Sequence, residues 1–339
     1  MKNRKHLAVG LLVLSALSAA SHAQKKPEPA TADALLVESV APVETPVPLE
    51  VVSCKNPSAT PLSRFWELEP ASDCGTFGLR GYRPVSLAVI GSDSVNTAPS
   101  SPASGHTGTF QAYTKTETRI NLSVRTKVAQ GLLTGGDPNR LDSLWFAYSQ
   151  QSYWQLFNAD LSRPFRATDH EPELIYIFPI ASALPSGWRL RYGGIGVNHQ
   201  SNGQSLPLSR SWNRIIGRAG LEFGNQISIT GALWQRIPED SASDDNPDIV
   251  DRIGRAEVSA VWNVDPHNSL ALTVRHSLQS SDSGSLRFAW FKKIGSATEN
   301  SNRSSLRLHT ELFTGYGDSL MDYNRQRTVL SVGLTLLDW

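Results

Sequence analysis

Much of the chain alternates between apolar and polar residues, in segments of about ten residues that turn residues separate. Near the end of the chain, Leu330, Val332 and Leu334 alternate with Ser331 and Gly333. Successive side chains of a β-strand point to opposite faces, so this period of two predicts strands with one apolar and one polar face. We predict twelve strands, at residues 77–91, 117–131, 143–155, 171–182, 187–201, 211–224, 227–237, 250–264, 268–279, 284–295, 304–317 and 326–339.

The alternation fits two fold classes, because the apolar face can contact lipid in a barrel or form the core of a β-sandwich. The start of the chain favours the barrel. Basic residues precede an apolar run at 7–20, and Ser21-His22-Ala23 resembles a signal peptidase site, so residues 1–23 read as a removed signal peptide. The even strand number, the arginines on the polar face and the nine tryptophans and eight tyrosines also suit an outer-membrane barrel. We therefore predict an all-β protein, a twelve-stranded antiparallel transmembrane β-barrel at 77–339.

Residues 24–76 are predicted to be an N-terminal extension that precedes the barrel. Their first half is rich in proline and has no periodicity, which is typical of an extended linker. Their second half carries Trp66 and would form at most a small lid or plug. Cys54 and Cys74 are the two cysteines of an exported chain, so we predict a structural disulfide between them.

Charge and loop length limit the partners and set the orientation. The 32 basic and 31 acidic residues balance, which gives no basic field for binding nucleic acid. The long connections at 156–170, 202–210 and 238–249 all follow odd-numbered predicted strands. Outer-membrane barrels carry their longer loops outside the cell, so these connections are predicted to face outward.

A candidate catalytic group lies beside one of these loops. His199 and Ser201 occupy the apolar row that ends the fifth predicted strand, and Asn213 opens the matching row of the sixth. The three side chains should therefore meet across a hairpin, facing lipid at the outer-leaflet boundary. Polar groups in such rows are costly unless they are functional or lie at the interface. A serine nucleophile, an imidazole base and a group that orients the imidazole form a hydrolase triad.

The segment NHQSNGQSLPLSRSWN, residues 198–213, resembles the active-site segment of the outer-membrane phospholipase A family. Further similar stretches are YSQQSYWQL from Tyr148, RPFRAT from Arg163, DDNPDI from Asp244 and TGYGDSLMDYN from Thr314. The resemblance covers about residues 77–339. It implies a twelve-stranded barrel in the bacterial outer membrane that hydrolyses acyl esters of membrane glycerophospholipids, with phospholipase A1, A2 and lysophospholipase activity, as a calcium-dependent homodimer.

The resemblance also assigns roles to single residues. Ser201 matches the family nucleophile, His199 the general base and Asn213 the residue that orients the imidazole. Asparagine lends the imidazolium no negative charge, so other groups should supply electrostatic help. Candidates are a cation near the developing oxyanion and the backbone N–H of Gly203 as an oxyanion donor.

Candidate calcium ligands follow from the same resemblance. Ser209 matches a ligating serine, Gln204 a position that ligates through its backbone carbonyl, and Ser162 a serine from the partner subunit. Oxygen ligands suit a hard cation such as Ca²⁺. Asp245 resembles an acidic ligand of a second site, but Leu206 replaces its usual acidic companion, which puts that second site in doubt.

Three alternatives stay open from the sequence. The chain could be a non-enzymatic barrel, either a narrow pore or a structural protein, with a vestigial triad. Gln150 could lie between subunits or face the lumen. Four arginines on the polar face are more easily explained as a barrel interior paired with Glu222 and Glu257 than as a substrate site; they are Arg189, Arg191, Arg214 and Arg218.

Overall fold

The computed structural model describes residues 58–135, 137, 140–279, 283–295 and 306–336. The predicted signal peptide, most of the predicted linker and Cys54 lie outside the described residues. Cys74 is disulfide-bonded.

Thirteen β-strands and two short α-helices lie within the described parts of the chain. The strands are β1 Leu79–Gly81, β2 Val85–Ser92, β3 Thr116–Gln130, β4 Ser143–Trp154, β5 Ala167–Ala183, β6 Trp188–Ser201, β7 Ser211–Phe223, β8 Ile227–Ile237, β9 Ala256–Asn263, β10 Asn268–His276, β11 Gly284–Lys293, β12 Leu306–Gly315 and β13 Arg327–Leu336. The helices are α1 Pro61–Trp66 and α2 Ile249–Ile253, and 3₁₀ turns occupy Pro70–Ser72 and Pro185–Gly187. No helix in these ranges is long and apolar enough to cross a membrane.

The strands form one closed antiparallel sheet. Each strand from β2 to β13 pairs with its neighbours in sequence, and β13 pairs with β2. The first predicted strand is split, because β1 and β2 pair with different parts of β3. Pro84 lies between them and has no N–H for a ladder, while the N–H of Arg83 bonds the Ser123 side chain instead of a backbone carbonyl. Together β1 and β2 fill one place in the ring, and the predicted twelve-stranded barrel is confirmed.

Exposure alternates along the strands as a barrel in lipid requires. On β6, Ile195 and Val197 are 56% and 49% exposed, whereas Asn198, whose side chain points to the opposite face, is 4% exposed. The apolar row therefore faces outward and the polar row faces the lumen. Arg189 is exposed, so its predicted place in the interior is wrong. The other three predicted arginines pair with buried glutamates inside the barrel: Arg191 with Glu222, Arg214 with Glu171 and Arg218 with Glu173.

The lumen is lined mainly by polar side chains and contains a cavity of about 620 Å³. Ion pairs between residues of different strands line it. Arg275 lies 2.7 Å from Glu257, and Arg119 lies 2.6 Å from Glu311. These pairs neutralise charges that would otherwise be costly to bury.

The segment before the barrel packs inside it. Pro61 starts α1, where its missing N–H costs nothing, and Glu67 ends the helix in a left-handed conformation. The N–H of Leu62 donates to the Glu222 carboxylate. Trp66 is 3% exposed. Its ring packs against aromatic rings of the barrel wall, with centroids 5.8 Å from Trp145, 5.8 Å from Tyr192 and 6.2 Å from Tyr82.

This packing makes Trp66 a major stabilising contact of the plug. We expect Trp66→Ala to lower the free energy of unfolding by about 3–5 kcal/mol, because it removes a buried indole and leaves a cavity. Thermal unfolding of the detergent-solubilised protein, followed by circular dichroism, measures the loss. Phe77→Ala is the control, since Phe77 is 75% exposed. A Trp66→Ala protein that melts with the parent would contradict this role.

The predicted eighth strand begins too early. Residues 249–253 form α2, and the strand itself starts at Ala256. Ile249 and Ile253 are buried in a cluster with Trp212 of β7, Trp234 of β8 and Tyr323 of the loop between β12 and β13, so their apolar side chains serve a helix. Gly254 separates the two elements with a φ of 109°, and a Cβ there would lie 2.5 Å from the His276 carbonyl oxygen. Only glycine fits this approach.

Candidate active site

The three predicted triad residues share the outward face at one end of β6 and β7. In the ladder, His199 lies opposite Asn213 and Ser201 lies opposite Ser211. His199 and Ser201 are two residues apart on one strand, so both side chains extend from the row that Ile195 and Val197 begin. The barrel geometry therefore places these side chains on the lipid-facing side of the strands.

A hydrogen bond joins two members of the group. His199 Nδ1 lies 2.8 Å from Asn213 Oδ1. Because Oδ1 can only accept, Nδ1 carries the proton and Nε2 is left free to accept one. The Ser201 hydroxyl makes no hydrogen bond among the described residues, although it lies on the same face. Catalytic contacts are often loose in the absence of substrate, so this arrangement is compatible with a triad that tightens on binding.

Asn213 has a second partner that the sequence pattern did not predict. Its Nδ2 donates to Glu239 Oε1 over 3.2 Å, in the loop that follows β8. The two contacts agree on the orientation of the amide, since the oxygen faces an N–H and the nitrogen faces a carboxylate. Burial raises the pKa of the Glu239 carboxyl above its ordinary value, although Arg236 and the bond from Asn213 act in the opposite direction.

A second histidine stands on the other side of Ser201. His170 of β5 is the direct cross-strand neighbour of Ser201, which places their Cβ atoms about 5 Å apart. Its Nδ1 lies 2.7 Å from the Tyr148 hydroxyl, which donates in turn to Gln150 over 3.1 Å. Gln150 therefore lies on the outward face and not in the lumen.

Loop 202–210 joins β6 to β7 and is held closed by Asn202. The Asn202 side chain is 2% exposed. It accepts from the N–H groups of Gln204 and Arg210 and donates to the Leu208 carbonyl. Gly203 follows with a φ of 60°, in the left-handed region that favours glycine. The His170 ring edge lies 3.6 Å from the position that a Cβ on Gly203 would take, so the predicted oxyanion donor lies beside both Ser201 and His170.

The structure brings Ser209 and Asp245 together. The Ser209 hydroxyl donates to Asp245 Oδ2 over 2.6 Å. The other oxygen, Oδ1, lies 2.9 Å from Nε2 of His106, a residue of the loop between β2 and β3. Nδ1 of His106 faces the Ser104 carbonyl at 2.8 Å, so both ring nitrogens face acceptors. Both carboxylate oxygens of Asp245 are therefore engaged by side chains of this chain.

The remaining predicted ligands lie in separate loops. The Gln204 carbonyl accepts no hydrogen bond among the described residues. Ser162 lies in the loop between β4 and β5, where Trp154 Nε1 donates to its carbonyl over 2.6 Å and its hydroxyl has a long 3.4 Å contact with the Ala159 carbonyl. Leu206 is 62% exposed and has no side-chain oxygen to serve as a ligand. Within the described ranges, no group of three or more His, Cys, Asp or Glu side chains is arranged to hold a metal.

A lipid-facing imidazole, hydroxyl and amide on a closed barrel suit hydrolysis of an ester that arrives from the membrane. The profile of the phospholipase A1 family matches residues 62–336, which include all of α1 except Pro61 and every described strand. The chain belongs to the phospholipase A1 family. The protein is accordingly a phospholipase, as the sequence resemblance predicted.

Relatives and solved structures of this phospholipase family agree. A putative phospholipase A1 of Neisseria meningitidis serogroup B is 35% identical over 284 residues, which cover 82% of this chain and 70% of the relative. Phospholipase A1 of Escherichia coli K12 is 34% identical over 227 residues, covering 66% and 71%. The outer membrane phospholipase A structure from Escherichia coli superposes with a TM-score of 0.66 at 30% identity, covering 77% of this chain and 99% of that one.

A second solved structure is the outer membrane phospholipase of Salmonella typhi, a dimer with bound calcium. It superposes with a TM-score of 0.65 at 29% identity, covering 77% of this chain and 93% of that one. This phospholipase is thus an outer-membrane protein by its family and its barrel.

Proposed function

We propose that this phospholipase cleaves acyl esters of glycerophospholipids with Ser201, His199 and Asn213 as its triad, depends on calcium, and acts as a homodimer at the outer-leaflet side. The observation that carries the proposal is the 2.8 Å bond between His199 and Asn213 on the lipid-facing row that also holds Ser201. Polar groups in that row are costly unless they have a function. A serine hydroxyl can act as the nucleophile, an imidazole as the general base and an amide as the group that orients the imidazole.

In the first half-reaction, Ser201 Oγ attacks the ester carbonyl carbon while His199 Nε2 takes the hydroxyl proton. The carbonyl oxygen becomes an oxyanion, to which the Gly203 N–H donates. The bond between the carbonyl carbon and the glycerol oxygen then breaks, and His199 returns its proton to that oxygen. The products are an acyl-Ser201 ester and a lysophospholipid. Asn213 keeps the ring oriented throughout, because its Oδ1 holds the Nδ1 proton.

In the second half-reaction, water replaces the glycerol oxygen. His199 Nε2 takes a proton from the water as its oxygen attacks the acyl carbon. The bond to Ser201 Oγ breaks, the proton passes to that oxygen, and a free fatty acid leaves. The enzyme returns to its starting state with one ester hydrolysed.

The position of the site explains how substrate reaches it. His199, Ser201 and Asn213 lie where the apolar outward band of β6 and β7 gives way to loop 202–210. Acyl chains can remain against Ile195, Val197 and the apolar residues beside them while the ester reaches Ser201. The loops at this end include the long connections, which outer-membrane barrels place outside the cell, so we assign the site to the outer leaflet.

The residues present fit one calcium ion shared between subunits. The Ser209 hydroxyl donates its hydrogen to Asp245, so the lone pairs of its oxygen remain available to a cation. The Gln204 carbonyl accepts no hydrogen bond among the described residues. Ser162 of the partner subunit would complete this oxygen set, which suits a hard cation. When bound, the ion would act as a Lewis acid that stabilises the oxyanion. A second ion does not fit, because Leu206 offers no side-chain oxygen in place of a carboxylate, and His106 and Ser209 engage Asp245.

The outward face also supports a homodimer. One barrel offers the triad on a convex surface, which cannot enclose a lipid. Beside the triad, Tyr148, Gln150 and His170 form a hydrogen-bonded polar row in a wall that otherwise faces lipid. A second copy packed against this face would cover the row and supply the missing wall of a cleft.

Calcium removal tests the proposal. Excess chelator should lower phospholipid hydrolysis by about a hundredfold, because charge stabilisation at the oxyanion is lost. It should also shift the detergent-solubilised protein from dimer to monomer, because the ion joins two subunits. Activity in mixed micelles and sedimentation in detergent measure the two effects, and added calcium should reverse both. Activity that persists in excess chelator would remove calcium from the proposal.

A further inference from the structure

The triad contains an electrostatic gap. His199 becomes a cation in each half-reaction, and a carboxylate normally stabilises such an imidazolium. Asn213 is neutral, so it can orient the ring but adds no charge. A cation at the oxyanion would not help here, because it would repel the imidazolium. If this chain supplies a negative charge that stabilises the imidazolium, the charge must come from a residue other than Asn213.

Glu239 lies where that charge would act. Its carboxylate accepts from Asn213 Nδ2 over 3.2 Å, directly behind the oxygen that holds His199. Glu239 follows the end of β8, whose last residue, Ile237, is the cross-strand partner of Asn213. The strand ladder thus brings the loop to this side of Asn213.

The surroundings leave the Glu239 charge available. The nearby Arg236 is already paired with Asp244 at 2.6 Å, and Asp245 is engaged by His106 and Ser209. Glu239 forms no ion pair within the described residues. The charged or titratable groups around it are thus Arg236, Asp244 and Asp245 on its own side, with His170 beyond Ser201 on β5.

We propose that Glu239 is a positioning residue for the triad, which acts on His199 through the Asn213 amide. The carboxylate fixes the amide with its oxygen towards His199, and its charge stabilises the imidazolium through that amide. A relay of neutral amide and carboxylate would do what a single aspartate does in other triads. This inference rests on the proposed triad, and it adds a residue from a loop.

Two substitutions separate orientation from charge. In Glu239→Gln, an amide oxygen can still accept from Asn213, but the charge is gone. We expect kcat to fall about three- to tenfold while KM changes by less than about twofold. The imidazolium forms during the reaction and is absent from the enzyme–substrate complex, so its loss of stabilisation affects kcat. The acidic limb of the pH–rate profile should move about half a pH unit lower, because loss of the negative charge destabilises the imidazolium. Glu239→Ala, which also loses the orienting contact, should reduce kcat further.

Asp240→Asn is the matched control. Asp240 is the next acidic residue of the loop, and it accepts from the Ala242 N–H instead of contacting Asn213. Its substitution removes the same charge a residue away. We expect its kcat and pH profile to match the parent.

Asn213→Asp provides a test that no structural role would reproduce. A carboxylate at position 213 would hold His199 directly and would face Glu239 as a like charge. In this background, Glu239→Gln should leave kcat unchanged or raise it, whereas in the parent it lowers kcat. The sign of the effect therefore depends on the residue at 213.

The results distinguish this inference from the triad itself. If Ser201→Ala is inactive but Glu239→Gln keeps the parent kcat and pH profile, the triad stands and the role of Glu239 is wrong. An equal loss in the parent and Asn213→Asp backgrounds would also overturn it, because that pattern indicates damage to the loop. If Ser201→Ala remains active, the triad fails first.

Discussion

Ser201→Ala should lower phospholipid hydrolysis by about ten-thousandfold or more while leaving the barrel folded. The substitution removes the oxygen of the proposed nucleophile, which would form the acyl-enzyme bond. The Gly203 N–H and the binding surface remain, so residual hydrolysis should be limited to what they provide. Activity against a phospholipid in mixed micelles measures the loss, and heat-modifiable migration in gels reports the barrel.

Two further variants sharpen this expectation. His199→Ala should be about as damaging, and the double variant should be no worse than either single one, because the two residues act as a unit. Ser205→Ala is the matched control, since it removes an exposed hydroxyl from the neighbouring loop. A Ser201→Ala protein as active as the parent would show that another residue is the nucleophile.

The strands and the core of the site could be predicted from sequence for one physical reason. A strand between lipid and a polar lumen must alternate, so the rows of Ile195 and Val197, and of Leu330 and Val332, show which side faces out. The same period places His199 and Ser201 together. Loop 202–210 then brings Asn213 across the hairpin, and the ladder places it opposite His199.

Contacts between loops could not be predicted in this way. His106 and Asp245 are 139 residues apart, and their loops have no periodicity. Glu239 contacts Asn213 from the loop after β8, and no alternation encodes the conformation of that loop. The predicted start of the eighth strand was wrong for a related reason. Ile249 and Ile253 lie on a short helix of that loop, from which their side chains pack into an apolar cluster.

This division between strands and loops has a functional consequence. The proposed triad lies on β6 and β7, whose paired backbones hold His199 and Asn213 in register before substrate arrives. The proposed calcium ligands Ser209, Gln204 and Ser162 lie in loops, and no single chain supplies a closed set of them. One subunit would therefore hold an oriented triad but would lack the bound cation and one wall of the cleft.

A site shared between subunits predicts that two inactive variants restore activity when combined. Ser201→Ala lacks the nucleophile but keeps Ser162, whereas Ser162→Ala keeps the triad but lacks the proposed ligand for its partner. Each homodimer should be nearly inactive. In a heterodimer, the intact triad of one subunit faces the intact Ser162 of the other, so one of its two sites is complete. Random pairing of equal amounts should restore about a quarter of the parent activity, as half of the dimers are mixed and each has one working site.

The matched control is a mixture of Ser201→Ala and His199→Ala. Both lesions lie in the triad of a single subunit, so no pairing assembles a complete triad and activity should stay absent. The two mixtures are refolded together, saturated with calcium and assayed in mixed micelles. Restoration by the Ser162→Ala mixture alone would place Ser162 across the interface from Ser201. If neither mixture recovers activity while Ser162→Ala by itself is inactive, Ser162 serves its own subunit. If Ser162→Ala by itself is as active as the parent, Ser162 is not a ligand that catalysis needs.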